Sequence, residues 1–191
     1  MRINKYFLIL VCLVVVLISA YYTIQTGNYP IAYVDGNFVL RNDYEASLES
    51  ALHYYDVLNT GLNIKDDENF LRKGLPDLKM ALLDKMVMDK LILNRLKNIL
   101  GSDLFRMTED KITSAIKQAP SINSVASLYG LNLPDFKKIV LEPQARLELL
   151  EGRFDIDKKD FTSWSKEARV NAKVYVFAAG LKWDGEKVSL K

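Results

Sequence analysis

Apolar and polar positions along this chain run in three rhythms. Residues 6–22 are apolar almost without a break. Residues 31–34 and 38–40 are short apolar runs on either side of Asp35-Gly36. Asp and Gly tolerate the positive φ of a tight turn, so this spacing predicts a β-hairpin. From Asn42 the period changes to three-four: Tyr44, Leu48, Ala51, Leu52, Tyr55 and Leu58 fall on one helical face. Asn42, with Glu45 three residues on, reads as a capping box, and Gly61 as the stop.

Residues 62–74 are polar, with one helical turn expected at 67–72. Residues 75–100 carry the longest helical pattern. Leu78, Leu82, Leu83, Met86, Val87 and Leu91 cover more than one face, as in a helix contacted from several sides. Thr108 is expected to cap the next helix, with Glu109 and Asp110 in its first turn. Ser121 opens a short helix that ends at Gly130. Pro134 suits a helix start, and Pro143 predicts a kink or restart before a helix that continues to Gly152. Asp157 is expected to cap a last helix bearing Phe161, Trp164 and Ala168. Residues 170–177 read as a strand, and 181–190 as a second hairpin turning at Asp184-Gly185.

A lone two-stranded hairpin is marginal in water. Pairing the two hairpins would make one small antiparallel sheet and join the two ends of a helical domain. The expected fold class is therefore α+β, mostly α: a multi-helix domain closed by a small antiparallel sheet from the N- and C-terminal strands, plus an N-terminal transmembrane helix. The expected organisation is a transmembrane anchor or signal segment at 1–22, a linker at 23–30 and the domain at 31–191.

Residues 6–22 are about as long as a bilayer core requires, roughly 26 Å at 1.5 Å per residue. Tyr6, Tyr21 and Tyr22 stand at its ends, where interfacial aromatics belong. Arg2 and Lys5 place the N-terminus inside and the domain in the periplasm or at the cell exterior. The alternative is secretion after cleavage near Ala20. Cys12 lies within the apolar run behind Val11, which does not match a lipidation site.

Charge narrows the partners. The chain has 26 basic and 24 acidic residues, and the surplus sits on Arg2 and Lys5. The body is balanced, with lysines interleaved among acids in "DLKMALLDKMVMDK", so no nucleic-acid partner is expected. One histidine, His53, and one cysteine exclude the usual zinc sites and the common nucleophile–base pairs. "DIDKKD" lacks the glycine and the spaced Glu of a calcium loop. No Gly-rich phosphate loop occurs. The expectation is no enzyme, no cofactor, no metal and no catalytic residue.

The order of elements resembles a known family. The entry "IAYVDGNFVLRNDYEASLE", the long helix "LLDKMVMDKLILNRLKNILG", then "MTEDKITSAI" and "SVASLYGLNLPDFKKIVLEPQARLELLEGRF" are similar to the SurA N-terminal chaperone domain. The same layout occurs in the related PrsA and PpiD families. The resemblance spans roughly residues 29–191, and it implies that "KVYVF" returns to pair with the first strand. Those families also carry a parvulin prolyl isomerase domain with paired histidines and Gly-Gly loops. This chain has neither feature, nor residues left over for such a domain.

The resemblance implies a membrane-tethered extracytoplasmic chaperone module that binds unfolded or extended polypeptides through an apolar groove. The alternative is a non-catalytic scaffold or subunit of a cell-envelope complex with one folded partner. A hydrolase using paired carboxylates with raised pKa values is a further class. The candidate peptide-binding residues are Tyr54, Tyr55, Met88, Tyr129 and Phe136. Tyr54 and Tyr55 are adjacent on a helix, so they do not share a face. The flexible thioethers of the central helix suit a promiscuous surface. The sequence leaves the oligomeric state open.

Overall fold

The computed structural model describes residues 13–15, 17, 21, 23, 25–61, 68–119 and 121–191, with side chains from Gly74 onward in the long helix. Most of the apolar segment 6–22, with Cys12 and Ala20, lies outside the described residues. Leu13, Val14, Val15, Leu17 and Tyr21 are helical and exposed. Among the described residues no helix is long and apolar enough to cross a membrane.

The entry hairpin forms as its pattern predicts. β1 (Pro30–Val34) and β2 (Asn37–Leu40) pair antiparallel, Tyr33 opposite Phe38 and Val34 opposite Asn37. Asp35 and Gly36 both have positive φ, 43° and 90°, which gives the two-residue turn its twist. Pro30 occupies the first strand position, where its missing N–H breaks no ladder.

α1 (Arg41–Gly61) follows β2 without a break, so the expected capping box is not made. Glu45 instead pairs with Arg41 at 2.5 Å. Asn42 ties the helix start to the preceding segment. Its backbone N–H donates to Gly27 O (3.1 Å), and its side-chain amide donates to Asn28 Oδ1 (2.7 Å). Residues 26–28 thus turn against the start of α1.

α2 (Glu68–Leu100) begins earlier than expected and runs through Pro76. One lost backbone bond does not end a helix held along the rest of its length by packing. After Gly101, at φ 54°, α3 (Asp103–Gln118) starts five residues before Thr108. Thr108 is not a cap: it is buried, and its hydroxyl donates to Leu104 O at 2.8 Å. α4 (Ile122–Leu128) and α5 (Leu133–Phe136) follow, the latter capped by Asn132.

A π-helical turn (Lys137–Leu141) then leads into α6 (Glu142–Ile156). The Glu142 N–H reaches Lys137 O, five residues back, just before Pro143. Pro143 has no N–H to give Ile139, so the wider turn absorbs the defect that the sequence predicted as a kink. α6 continues through Gly152. Asp157 closes α6, and Asp160 is the cap of α7 (Phe161–Asn171), accepting from Thr162 N and Ser163 N at 3.2 and 2.8 Å. The expected cap at Asp157 is therefore displaced by three residues.

β3 (Val174–Val176) returns beside β1, with Tyr175 opposite Tyr33. The sheet order is β2-β1-β3. β4 (Leu181–Trp183) and β5 (Val188–Leu190) form a separate two-stranded sheet. The single sheet built from both hairpins is thus corrected: only β3 reaches the first hairpin. Gly180, at φ 75°, sits between β3 and β4, and the final hairpin packs against α2 instead.

The fold is mostly helical with small antiparallel sheets, and α2 is its axis. Leu83, Val87 and Leu91, one turn apart, meet Ile31, Val34, Val39 and Val174 of the sheet. Ile92 and Leu96, on the neighbouring stripe, meet Leu104, Leu150 and Phe154. Each fully buried Leu or Val contributes about 1.5–3 kcal/mol by leaving water, so these two clusters fix the domain.

Candidate functional site

A third stripe of α2, from Leu82 to Lys90, faces α1 and the π turn across a cleft of about 230 Å³. Its apolar walls are Ala51 from α1, Leu82 and Met86 from α2, and Ile139, Val140 and Pro143 from the π turn and α6. Tyr129 also lines it. The π turn gives the cleft one wall, because Pro143 prevents an ordinary α-helical turn there.

Tyr129 is held by a stack. Its ring lies 4.6 Å from that of Tyr54, at 9° interplanar angle, and 5.5 Å from that of Phe136. Burial and the neighbouring Tyr54 push the Tyr129 phenol up from its ordinary range. The turn at Tyr129 and Gly130 needs the glycine, which has φ 66° and lies against the His53 ring. His53 is exposed, and its ring borders the turn at the end of α4.

The cleft is also charged, which the expected apolar groove was not. Asp43 pairs with Lys138 at 2.6 Å, and Glu142 with Arg146 at 2.8 Å. Lys85, Asp89 and Lys90 face the same space and make no ion pair among the described residues. Burial pushes the Asp89 carboxyl up, against Lys85, Arg146 and Lys90, which favour its charged form. Burial pushes the Lys90 ammonium down, opposed first by Asp43.

Of the five residues singled out in the sequence, the structure brings Tyr54, Tyr129 and Phe136 together. Only Tyr129 lines the cleft. Phe136 is 2% exposed and sits behind the stack. Met88 packs against both apolar clusters, on another side of α2 from the cleft. Tyr55 is half-buried beside Tyr54 and is not among the residues that line the cleft. Phe136 is therefore a core residue, and Met88 is half-buried between the two clusters.

Sequence reasoning missed Lys85, Asp89 and Lys90. A signal was present: "DKMVMDK" places Lys85 and Asp89 four apart, on one helical stripe with Leu82 and Met86. A second hollow lies between α2 and β5, but Asp84 on its wall is already committed to Arg169 and Val188 N. Among the described residues no group of His, Cys, Asp and Glu is placed to hold a metal ion. No family model, no curated protein and no solved structure matches this chain.

Proposed function

We propose that this chain is a membrane-tethered extracytoplasmic chaperone module that captures extended segments of unfolded polypeptide in the cleft between α1, α2 and the π turn. The observation that carries this reading is the cleft itself: apolar walls, an aromatic ring, Tyr129, in its lining, and a size suited to side chains rather than to a folded surface. The sheet order lends support, since β3 returns beside β1 as in the resembling family. The exposed helical Leu13, Val14, Val15 and Leu17 suit a lipid-facing anchor, and Arg2 and Lys5 suit an inside N-terminus.

Capture would be weak and tolerant of sequence, with release as the client folds. The anchor would raise the module's effective concentration at the membrane, where exported chains emerge. No catalysis, nucleotide or metal enters this mechanism.

The test uses the full chain in lipid nanodiscs. It should suppress aggregation of an unfolding reporter protein at near-stoichiometric amounts and bind aromatic-rich peptides at micromolar Kd. A folded preparation that does neither removes the reading.

A second reading, a fixed subunit of an envelope complex, is favoured by a different surface. Tyr33, Phe38 and Tyr175 stand in register across the outer face of the sheet, with rings 5.5 and 6.0 Å from the central one. Phe38 and Tyr175 are 53% and 59% exposed. Exposed aromatic rows of this kind mark interaction surfaces. One stoichiometric folded partner, lost on Phe38→Ser with Tyr175→Ser, would select this reading.

A further inference from the structure

The charges of the cleft are unevenly satisfied. Four cations, Lys85, Lys90, Lys138 and Arg146, line it against three carboxylates. Asp43 and Glu142 are committed to Lys138 and Arg146. Lys85 and Lys90 are left without a carboxylate partner among the described residues. Lys90 is half-buried, so its ammonium has lost part of its water without gaining an ion pair. Asp89 is the remaining acid, and its burial disfavours the charge that would compensate the lysines.

A second donor points the same way. Ser50 is 4% exposed as a residue and lines the cleft. Ser47, one turn earlier on α1, bonds back to Asp43 O at 2.7 Å. A serine and a half-buried lysine thus line a space with apolar walls. A carboxylate entering there would meet both, and charge-assisted bonds of this kind are the strong ones.

We infer that the cleft selects polypeptide segments carrying a carboxylate next to an apolar or aromatic side chain. Lys90 and Lys85 receive the carboxylate, with Ser50 as an added donor. Tyr129 and Ile139 receive the apolar group. This inference rests on the peptide-binding reading of the cleft and names its client chemistry. The carboxylate can come from an Asp or Glu side chain or from a free C-terminus.

The test measures fluorescence polarisation of labelled peptides on the full chain in nanodiscs. One peptide has Trp and Tyr flanking an internal Glu, with an amidated end. A second has Gln in place of Glu and a free C-terminal carboxylate. A third has Gln and an amidated end. At least one acidic peptide should bind about ten-fold tighter than the third, and which one does so identifies the source. Lys90→Met should bring all three within two-fold of each other, while Lys90→Arg should keep the preference. Equal affinity for all three on the wild-type chain overturns the inference and leaves the peptide-binding reading standing. Binding of none overturns both.

Discussion

Asp84 and Arg169 meet through two parallel hydrogen bonds, Nη1 to Oδ1 and Nη2 to Oδ2, both at 2.9 Å. The pair is about three-quarters buried. Asp84 Oδ1 also accepts from Val188 N at 3.1 Å, and Arg169 donates to Glu186 O at 3.1 Å. One carboxylate on α2 and one guanidinium on α7 thereby hold the final hairpin against the central helix.

Removing one partner should therefore cost more than an exposed ion pair would. Asp84→Ala leaves a largely buried guanidinium without its carboxylate and the Val188 N–H without its acceptor. The expected loss is about 2–4 kcal/mol, read as a shift in the urea midpoint. Arg169→Lys should recover only part, because an ammonium cannot make the two-pronged contact. A loss below about 0.5 kcal/mol would show that the hairpin is held by its apolar contacts alone.

Gly130 should not tolerate a side chain. Its φ is 66°, and an added Cβ would lie 2.9 Å from the His53 ring. Gly130→Ala is expected to cost about 2–3 kcal/mol, combining backbone strain and collision. Adding His53→Ala should return the collision part and leave about 1–2 kcal/mol of strain. Strict additivity of the two single changes would contradict this contact.

The aromatic column separates stability from binding. Phe136→Ala empties a core site and should cost about 3–5 kcal/mol by thermal or urea unfolding. Ile139→Ser, on the half-buried cleft wall, should cost much less stability but weaken aromatic-peptide binding several-fold. If Ile139→Ser leaves peptide affinity unchanged, the peptides bind elsewhere on the chain.

The pKa shifts of Asp89 and Lys90 set opposite slopes of stability with pH. Burial raises the folded value of Asp89 above its unfolded value, so the folded state keeps that proton to higher pH. Its contribution is full below the ordinary carboxylate range and declines as pH rises through the folded value. Asp89→Asn should remove that decline and be at least as stable as wild type at pH 7. Lys90 is lowered, so the unfolded chain holds the extra proton and stability rises as pH climbs toward the ordinary lysine range. Lys90→Met should flatten that limb. Urea titrations from pH 4 to 10 measure both, and a clear loss in Asp89→Asn at pH 7 would reverse the sign assigned to its charge.

Local signals were legible in the sequence wherever a residue's own backbone chemistry decides the outcome. Asp35-Gly36 makes its turn, Pro134 opens a helix, and Pro143 disturbs one. Caps were less legible. Thr108, Asn42 and Asp157 each have the right side chain, but neighbouring segments place the helix ends elsewhere. Asp160, three residues beyond Asp157, caps α7 because its side chain reaches two free N–H groups there. The candidate site was legible only in part. Tyr54, Tyr129 and Phe136 meet, but helical spacing alone does not say which of them opens onto solvent.

By itself, the sequence determined the helical class, the entry hairpin, the central place of α2 and the absence of familiar catalytic motifs. These follow from periodicity and from turn chemistry, which act over a few residues. The tertiary structure decided that β3 alone joins the first hairpin, that Asp84 and Arg169 clamp the last one, and that Lys85, Asp89 and Lys90 share a cleft with Tyr129. Such arrangements depend on which stripe of one helix meets which neighbour. That choice is made by the packing of the whole domain, where residues far apart in sequence compete for the same apolar surface.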